Sequence, residues 1–379
     1  MSRIGIDARF FGPENKGLGR YTQKLVEELE IIADNESEYF VFLRRANFDC
    51  YQPKRENFKK VLADFPWYSF SEQLIFPFLL LKYRLDLVHF CHFNVPFLYP
   101  KNFIVTIHDL ILIHYPTFKN TTRMKAIYFF KLLAYRLVIF LAVKRANKII
   151  TVSRYTKNDL ITKLGAKEQQ IKVIYEGATL NSRPIINNGA EVLKKYGISK
   201  PFILYAGNAY PHKNLSRLCD AFQIVQKNQP ELSLVLVGGE DYFYRQIKAE
   251  VKERAIKKII FPGFVSDDEL KVLYRETALF VFPSLYEGFG LPPLEALFYG
   301  SKVISSNRTS MPEILGELAG YFNPEDVTDM AKKIVSGFLL PIPNQEAIKE
   351  KANLFSWRKM AEATLEVYRQ LIRNNWQQF

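Results

Sequence analysis

The sequence predicts an α/β protein made of two doubly wound, Rossmann-like domains. Two observations support this prediction. The chain has 379 residues, 48% of them apolar, which exceeds the size at which one hydrophobic core usually stops growing. Short β-branched or aromatic segments also alternate with longer helical patterns, in two series separated by a break. Such alternation is typical of parallel sheets covered by helices.

Eleven short segments have the composition of strands, six in the first series and five in the second. The predicted strands span residues 4–7, 39–43, 87–90, 103–107, 148–152 and 171–174, and then 202–206, 233–237, 259–261, 279–282 and 302–305. In open parallel sheets, ligands bind outside the carboxyl ends of the strands, where helix N-termini point their amides outward. The residues that directly follow these segments are therefore the candidates for chemistry.

The break between the two series predicts the domain boundary. Residues 181–189 contain Pro184, three asparagines and a glycine, and they have neither helical nor strand periodicity. We therefore predict an N-terminal domain over 1–180, a linker over 181–199 and a C-terminal domain over 200–355. A final helix is predicted within 356–379, with Ser356 as its N-cap, and its pattern alone does not assign it to either domain.

Composition and charge limit the classes of function. Cys50, Cys91 and Cys219 lie far apart, unlike the paired cysteines of zinc ribbons, and they fit a reduced cytoplasmic setting. The first residues lead directly into a strand without a secretion signal, and the longest apolar runs are shorter than the roughly 18 residues that span a bilayer. We expect a cytoplasmic protein, soluble or peripheral on a membrane, and its oligomeric state stays open.

The formal net charge of +13 favours anionic partners. Nucleic acid, acidic lipid headgroups and phosphorylated small molecules all carry such charge. The sequence has neither a recognisable RNA-binding signature nor zinc-finger spacing, so nucleic acid is not expected.

The loop after the first strand contains two closely spaced glycines. Gly17 and Gly19 would let backbone amides approach an anion at a helix N-terminus, and Arg20 adds charge. A plain strand-to-helix turn is the alternative. Thr22 occupies the place of the third glycine in the dinucleotide fingerprint, which disfavours an NAD-dependent dehydrogenase.

A histidine and an acid follow the fourth predicted strand. His108 could donate to or polarise a substrate hydroxyl, and Asp109 could orient it or a neighbouring group. The alternative for His108 is a structural hydrogen bond that closes the strand. His89 and His92 lie around another strand end, but a histidine pair without a third ligand is weak evidence for metal.

The second half has two candidate segments. In residues 205–214, Gly207 permits close approach, and Lys213 near a helix start could neutralise a diphosphate, although a solvated turn lysine is the alternative. In residues 283–295, Glu287 is predicted in a Gly-rich loop and Glu295 in the next helix. Two carboxylates so placed can accept hydrogen bonds from the hydroxyls of one sugar or ribose.

The sequence resembles glycosyltransferase family 4 in four motifs. These are the two glutamates with seven residues between them, the Gly-Asn-x-x-Pro-His-Lys-Asn segment, Gly263-Phe264-Val265 and the early Lys-Gly-Leu-Gly loop. The resemblance extends from residue 4 to about residue 368. It implies the GT-B fold, in which two Rossmann-like domains face a central cleft, with a last helix that commonly crosses back to the N-terminal domain. It also implies transfer with retention of configuration at the anomeric carbon, which would require the two domains to close.

The resemblance assigns roles to individual residues. Lys213 would stabilise the donor diphosphate, Glu287 would contact the transferred sugar, and Glu295 would hold the nucleotide ribose. His108 matches the active-site histidine of the family. The predicted catalytic residues are His108, Asp109 and Glu287, and the predicted donor-binding residues are Gly17, Gly19, Asn208, His212, Lys213, Val265, Ser284, Gly288, Phe289, Gly290, Leu291 and Glu295.

One departure concerns the cations around the diphosphate. Many members have an arginine where this chain has Asn208, and a subgroup has Arg-Lys-Asn where this chain has His212, Lys213 and Asn214. One permanent cation is therefore missing, and a titratable histidine at best replaces it. Either diphosphate affinity is lower or another arginine compensates, the candidates being Arg9, Arg20 and Arg308.

No metal or other cofactor is predicted. The Asp-x-Asp element that holds a divalent metal in other glycosyltransferases is missing from the sequence, and residues 267–269 are better interpreted as the start of a capped helix. Cations, helix dipoles and amides would then stabilise the leaving nucleoside diphosphate.

Two aromatic-rich stretches, residues 65–83 and 127–143, have two interpretations. In the second, Lys131 and Arg136 are the only charges, and a helix that is apolar nearly all round is usually buried. The alternative is an interfacial surface, flanked by Lys144 and Arg145, that docks on an anionic membrane and meets a lipid-linked acceptor.

The resulting hypothesis is a hexosyltransferase. The sequence is similar to mannosyltransferases that act on bacterial polysaccharides, so GDP-mannose is favoured as donor over UDP-glucose or a UDP-N-acetylhexosamine. The acceptor would be a glycan or a lipid-linked glycan at the inner face of the cytoplasmic membrane. A nucleotide-sugar epimerase of the same fold and a catalytically silent sugar-binding scaffold are the alternatives.

Overall fold

The chain forms two compact α/β units. The structure, a computed structural model, describes residues 1–12, 15–116, 125–178 and 189–376, without the side chains of residues 16, 125–129, 131 and 374–376. The first unit comprises Met1–Ile113, Thr121–Gly177 and Phe355–Phe379, and the second comprises His114–Asn120 and Ala178–Leu354.

The first unit is built on a seven-stranded parallel sheet. Its strand order is β3-β2-β1-β4-β5-β6-β7, so the order reverses between β1 and β4. The strands are β1 (Ser2–Asp7), β2 (Ser37–Leu43), β3 (Phe58–Leu62), β4 (Leu87–Phe90), β5 (Phe103–Ile107), β6 (Lys148–Thr151) and β7 (Ile171–Val173). The α-helices before β7 are α1 (Lys16–Ile32), α2 (Phe70–Leu74), α3 (Phe76–Lys82), α4 (Ile111–His114), α5 (Lys125–Arg145) and α6 (Arg154–Leu164).

The second unit is built on a six-stranded parallel sheet of order β10-β9-β8-β11-β12-β13. The strands are β8 (Phe202–Ala206), β9 (Ser233–Val237), β10 (Ile259–Gly263), β11 (Leu279–Phe282), β12 (Val303–Ser306) and β13 (Gly320–Phe322). Its helices are α7 (Gly189–Lys195), α8 (Leu215–Gln226), α9 (Tyr242–Glu253), α10 (Asp267–Glu276), α11 (Leu291–Phe298), α12 (Met311–Leu315), α13 (Val327–Gly337) and α14 (Gln345–Leu354), and α15 (Trp357–Trp376) follows in the first unit. Because β8 and β11 are neighbours, the strand order reverses there, as in dinucleotide-binding folds.

The eleven predicted strands are confirmed, with ends that differ by at most two residues. The two strands that were missed, β3 and β13, each lie at a sheet edge and pair with a single neighbour. An edge strand buries less surface than a central one, so β3 can carry Lys59 and Lys60, and β13 needs only three residues. Neither segment therefore has the apolar pattern that central parallel strands require.

The predicted linker over 181–199 is too long. Helix α7 begins at Gly189 and belongs to the second unit, where it packs against α10. Val192 and Leu193 are buried in that contact, although the apolar segment is too short to stand out as a helix in the sequence. The remaining part of the predicted linker, residues 181–188, lies outside the described residues.

The last helix, α15, packs in the first unit against α1 and β4. The Tyr368 hydroxyl lies 2.7 Å from Nδ1 of the buried His89, and Arg369 donates to Asp34 at 2.7 Å. The chain enters this helix beside Gly177, where a Cβ atom would lie 2.2 Å from the backbone nitrogen of Trp357. Glycine is therefore required at the point where the two segments of this unit meet.

Helix α10 begins as predicted for residues 267–269. Ser266 caps it, accepting from the Glu269 amide while the Glu269 carboxylate accepts from the Ser266 amide at 3.3 Å. The carboxylates of this segment therefore serve the helix N-terminus. Within the described ranges, no helix combines the length and apolar character needed to cross a membrane.

Candidate functional site

In the second unit, two loops with chemical side chains meet at the reversal of strand order. Residues 207–214 follow β8, and residues 283–290 follow β11, the neighbouring strand. Loops that leave a sheet on either side of such a reversal diverge and form a crevice for ligands. Both candidate segments predicted in this half of the chain are thus placed at one edge.

Three contacts connect these loops. The Leu285 amide donates to the His212 carbonyl at 2.7 Å, and the Asn214 side chain donates to the Pro283 carbonyl at 3.1 Å. Lys213 Nζ lies 2.5 Å from a carboxylate oxygen of Glu287. The predicted phosphate-binding cation and sugar-binding acid therefore form an ion pair.

The Lys213–Glu287 pair is largely shielded from water. The exposed side-chain fractions are 12% for Lys213 and 10% for Glu287, and Lys213 Nζ lies 5.4 Å from the ring centroid of Phe282. Charges interact more strongly when water is excluded, so the attraction between these two side chains is stronger than in a solvent-exposed pair. An anionic ligand could take over Lys213 and leave Glu287 to accept hydrogen bonds from sugar hydroxyls.

A third loop, after β12, supports the Glu287 segment. Thr309, in a left-handed conformation at φ +56°, accepts from the Glu287 amide at 3.1 Å, and Ser310 donates to the carbonyls of Glu287 and Phe289 at 3.1 and 3.2 Å. Ser306 donates to the Ser284 carbonyl at 2.6 Å. The prediction missed these residues, although a run of serines and threonine directly after a predicted strand was a usable signal.

Two buried polar atoms in this region have no hydrogen-bond partner among the residues that the structure describes. They are Ser284 Oγ and His212 Nδ1, both from residues predicted to bind the donor. An unsatisfied buried polar group costs about 1–3 kcal/mol, so each one in a native protein requires an explanation, such as a catalytic role or a bound molecule. The two atoms are therefore candidates for hydrogen bonds to a bound molecule.

His212 does not replace the missing cation. Burial, with a smaller contribution from the charge of Lys213, lowers its pKa to about 3. The imidazole is therefore neutral at physiological pH, so the expectation of a titratable substitute is wrong. Sequence reasoning missed this because the burial of a turn residue depends on packing against Tyr210 and neighbouring loops.

The glycine-rich turn leads into α11. Gly290 has φ +97°, and a Cβ atom there would lie 2.2 Å from the Met311 side chain, so this position requires glycine. Gly288 and Phe289 are buried before it, and Leu291 begins the helix. Glu295 lies one turn further along α11 and is half-buried.

Two predicted donor-binding residues occupy the margins of this arrangement. The Asn208 carbonyl accepts from the Tyr205 hydroxyl at 2.6 Å, and its side-chain oxygen accepts from the Tyr210 amide at 3.3 Å. Val265 is buried after β10, which is an edge strand two positions from β8. Asn208 closes its own turn, and donor binding by Val265 stays a prediction.

In the first unit, His108 lies at the carboxyl end of β5 with both ring nitrogens engaged. Nδ1 lies 2.9 Å from a carboxylate oxygen of Glu176, and Nε2 lies 3.1 Å from the Cys91 carbonyl oxygen. A carbonyl only accepts, so Nε2 must carry hydrogen, and an ionised Glu176 requires hydrogen on Nδ1 as well. The arrangement therefore suits the imidazolium form.

Glu176 is the acid that orients His108. Burial lowers the pKa of His108, but the hydrogen bond and charge of Glu176 more than offset burial and raise it above the ordinary value. Asp109, predicted for this orienting role or for orienting a neighbour, accepts from the Ile111 amide at 2.9 Å, at the first residue of α4. Glu176 was missed because it lies 68 residues after His108 in the chain and follows a different strand, β7.

His89 is a structural residue. Its Nε2 lies 2.8 Å from Thr106 Oγ1, which in turn lies 3.0 Å from the Tyr21 hydroxyl. Its Nδ1 forms the hydrogen bond with the Tyr368 hydroxyl described above. Burial lowers the pKa of His89 to about 3, so the ring is neutral. Among the described residues, no group of three His, Cys, Asp or Glu side chains could hold a metal ion.

An aromatic stack lies at the same sheet edge. The ring of Phe10, which follows β1, lies 4.3 Å from Trp67 and 4.9 Å from His92, measured between centroids. Within the described part of the chain, three buried atoms here have no hydrogen-bond partner: Trp67 Nε1, His92 Nδ1 and the nearby Asn94 Oδ1. Stacked rings beside a few polar atoms match the composition of small-molecule sites, which combine an apolar, aromatic lining with a small number of polar groups.

Comparison with known proteins identifies the family. The family described as Glycosyltransferase Family 4 matches residues 16–181, and the family described as Glycosyl transferases group 1 matches residues 191–357. The two regions fall in the first and second units. The chain belongs to the family 4 glycosyltransferases.

Curated relatives and solved structures agree with this assignment. The chain is 29% identical to the serotype-specific mannosyltransferase WbdA of Escherichia coli over 73% of its own length and 34% of that protein. It is 27% identical to the O-antigen chain mannosyltransferase B of Escherichia coli, over 94% and 96% of the two chains. The Anabaena protein HepE, solved with UDP and glucose, shares the GT-B fold with a TM-score of 0.73 at 15% identity, over 98% and 100% of the chains. The chain thus spans about a third of the length of WbdA.

The arginine that many family 4 glycosyltransferases carry is not replaced by Arg9. Its guanidinium is fully buried, pairs with Asp7 and Glu72 at 2.7 Å each, and lies 4.3 Å over the Phe76 ring. Burial opposes its charge, but these ion pairs raise its pKa above the ordinary value. Arg308 pairs with Glu325 at 2.6 Å. Arg9 therefore belongs to the core of the first unit, contrary to its proposed compensating role.

The two glycines at the start of α1 in this glycosyltransferase serve different purposes. A Cβ atom at Gly19 would lie 2.0 Å from the Gly12 carbonyl oxygen, whereas one at Gly17 would meet no atom of the described residues within 4 Å. Gly19 is therefore required by packing. Gly17 has no such requirement, which is consistent with its predicted contact with donor phosphates.

Alanine substitutions are expected to separate these roles. Gly19→Ala should lower the free energy of unfolding by about 2 kcal/mol or more, because the backbone must move. Gly17→Ala should leave it unchanged or raise it by up to about 1 kcal/mol, since alanine favours helix, while transfer falls about tenfold. Urea unfolding and transfer assays measure both. Equal loss of stability in the two variants would contradict the assignment of Gly17 to ligand binding.

Proposed function

We propose that the chain transfers mannose from GDP-mannose to a glycan or lipid-linked glycan, with retention of anomeric configuration and without a metal ion. The observation that carries the proposal is the shielded Lys213–Glu287 ion pair beside the unpartnered Ser284 Oγ and His212 Nδ1. These groups lie at the strand-order reversal of a unit that belongs to a glycosyltransferase family.

The second unit would hold the donor. Lys213 would bind the diphosphate, with the amides around Gly288 and Gly290 adding donors at the start of α11. Glu287 would accept from hydroxyls of the transferred sugar, and Glu295 from the ribose. A buried cation and fixed amides can stabilise the leaving diphosphate without metal, because their charges and dipoles are already in position.

The proposed reaction exchanges one bond at the anomeric carbon. The bond from this carbon to the diphosphate oxygen breaks, and a bond to the acceptor hydroxyl oxygen forms on the same face. The acceptor proton passes to the departing phosphate oxygen. In the first unit, the His108 imidazolium paired with Glu176 would supply a fixed positive charge.

The donor and acceptor are inferred from different features. Two of the most similar relatives are named mannosyltransferases, which favours mannose, while HepE is a UDP-bound neighbour and makes UDP-sugars the next candidates. We assign acceptor hydroxyls to the unpartnered atoms of Trp67, His92 and Asn94 beside the aromatic stack. A lipid-linked acceptor is held at a membrane, so peripheral association with the inner face of the cytoplasmic membrane is part of the proposal.

The test is thermal unfolding with GDP, UDP, ADP and their sugars, with and without a chelator. A ligand at about 100 times its dissociation constant stabilises the folded state by roughly 2.7 kcal/mol. We expect GDP-mannose to raise the unfolding temperature regardless of chelator, and Glu295→Ala to remove the shift. The absence of a shift with every nucleotide would contradict the proposal, as would an inverted anomeric product.

The same donor separates the rival functions. Transfer consumes GDP-mannose only when acceptor is added, whereas an epimerase converts it alone, and a silent scaffold binds it without turnover. Loss of activity with chelator that magnesium restores would refute the metal-independent part. These assays use the full chain.

A further inference from the structure

The first unit exposes a set of large apolar side chains that its core does not use. On α2, α3 and the residue between them, Phe70, Leu74, Ile75 and Phe78 are exposed, with exposed fractions of 87% for Phe70 and 69% for Phe78. They lie at spacings of four, one and three residues, which places them on one side of the two short helices. Phenylalanines so exposed are unusual on a protein surface that contacts only water.

Helix α5 exposes a second apolar stripe. Phe130, Leu133, Leu137 and Phe140 are exposed at helical spacing, while the opposite side buries Ile139 and Val143 in the unit. The expectation that this helix is buried nearly all round is therefore wrong for the residues described. The sequence does not show which side is buried, because both sides of the helix are apolar and the core of the unit covers the side with Ile139 and Val143.

Residues 93–99 join the two stripes into one surface. The Phe93 ring lies 6.4 Å from Tyr68, just before α2, and 4.9 Å from Tyr135 of α5. The Phe97 amide donates to Gln73 of α2 at 3.0 Å, and Arg145 at the end of α5 donates to the Phe97 carbonyl. Phe97 and Leu98 are themselves exposed. Large apolar side chains exposed together, rather than singly, indicate an interaction site.

The chain around this surface is almost free of acids. Residues 87–158 contain eleven lysines and arginines and one acid, Asp109. Lys101, Arg136, Lys144 and Arg145 are exposed among them. Basic side chains around exposed aromatic and leucine side chains are complementary to a surface with anionic groups above an apolar layer.

We propose that this surface, the apolar–basic face, docks on a bilayer that contains anionic phospholipids. It consists of the exposed apolar side chains of α2, α3, residues 97–98 and α5, with the surrounding lysines and arginines. The apolar side chains enter the headgroup boundary while the cations contact lipid phosphates. The inference deepens the membrane part of the proposed function, and its test needs neither donor nor transfer.

The test is co-sedimentation of the full chain with vesicles of phosphatidylcholine alone or mixed in equal parts with phosphatidylglycerol. We expect binding to the mixed vesicles that weakens as salt is added. Phe70→Ser with Phe78→Ser should lower the partition coefficient roughly tenfold or more, because two apolar side chains no longer enter the boundary. Lys101→Gln with Arg136→Gln should lower it about fivefold for each charge removed.

Matched substitutions in the second unit are the controls. Leu339→Ser with Ile342→Ser removes two exposed apolar side chains, and Lys332→Gln with Lys333→Gln removes two exposed charges. Both should bind vesicles like the unchanged chain. Far-ultraviolet circular dichroism checks that every variant is folded. If Phe70→Ser with Phe78→Ser does not fold, Lys101→Gln with Arg136→Gln still tests the inference.

Three results would overturn the inference. One is equal or absent binding to the two vesicle types, and another is an equal loss in the control variants. The third is a concentration-dependent dimer in sedimentation equilibrium that Phe70→Ser with Phe78→Ser abolishes, since a second copy would then cover the face. A chain that binds anionic vesicles but transfers no sugar would support the apolar–basic face and reject the proposed reaction.

Discussion

Lys213→Met is expected to lower the rate of mannose transfer about 1,000-fold. The variant removes the cation that would neutralise the diphosphate, and loss of one preorganised electrostatic group typically costs this much. Methionine keeps the apolar stem over the Phe282 ring. The measurement is the transfer rate at saturating GDP-mannose, with the diphosphate product quantified.

The ion pair makes a stability control necessary. Lys213→Met leaves the shielded Glu287 carboxylate without its partner and should lower the free energy of unfolding by about 2–3 kcal/mol. Adding Glu287→Gln removes the unpaired charge and should restore most of that stability without restoring transfer. If the double variant regains transfer together with stability, the pair is structural and the assignment of Lys213 to the donor is wrong.

Glu176→Gln is expected to lower the transfer rate at neutral pH about 100-fold and to move the pH optimum towards acid. The Glu176 carboxylate offsets burial and raises the pKa of His108. Without that charge, the smaller contributions of the Cys91 carbonyl and the Asp109 charge remain against burial, so the pKa of His108 falls and a smaller fraction of the ring is protonated at neutral pH. Rates measured over pH, together with the NMR titration of His108, test this expectation.

The same pair makes a pH-dependent contribution to stability. A histidine whose pKa is higher in the folded than in the unfolded state stabilises the fold below its unfolded pKa of about 6.5, and this contribution is lost as pH rises through the folded pKa. In urea unfolding, the difference in free energy of unfolding between the unchanged chain and Glu176→Gln should therefore be larger near pH 6 than near pH 9.

Two variants control for the loss of an acid. Glu176→Asp retains the carboxylate and should keep much of the activity at neutral pH. Glu168→Gln removes an exposed glutamate that pairs with Lys157 in the same unit, and it should leave the pH profile unchanged. An unaltered His108 titration in Glu176→Gln would contradict the role of Glu176.

Local sequence patterns predicted most of the fold because central parallel strands must be apolar on both faces. Segments such as 87–90, 103–107 and 202–206 coincide with β4, β5 and β8 for this reason. The edge strands β3 and β13 were not predicted, because a strand with a single neighbour is less buried and needs fewer apolar residues. Helix α7 escaped because seven residues are too few to show helical periodicity.

The part of the candidate donor site whose residues lie close together in the sequence could be predicted. Lys213 and Glu287 stand in short motifs directly after strands, and strand order then places both loops at one edge. Ser310 and Thr309 follow a strand in the same way, but serine and threonine are common in loops, and only their hydrogen bonds to the Glu287 segment identify them as supports.

The sequence by itself determined that the chain is an α/β protein with two sheets, that its motif residues lie after strands, and which family it resembles. These properties depend on residues near one another in the chain, where periodicity and turn chemistry act. The tertiary structure decided that Glu176 is the partner of His108, that His212 is neutral, that Arg9 is committed to the core, and that α5 leaves one apolar side uncovered. Each of these depends on burial and on charges brought together from distant positions, because desolvation and ion pairing are set by packing in space.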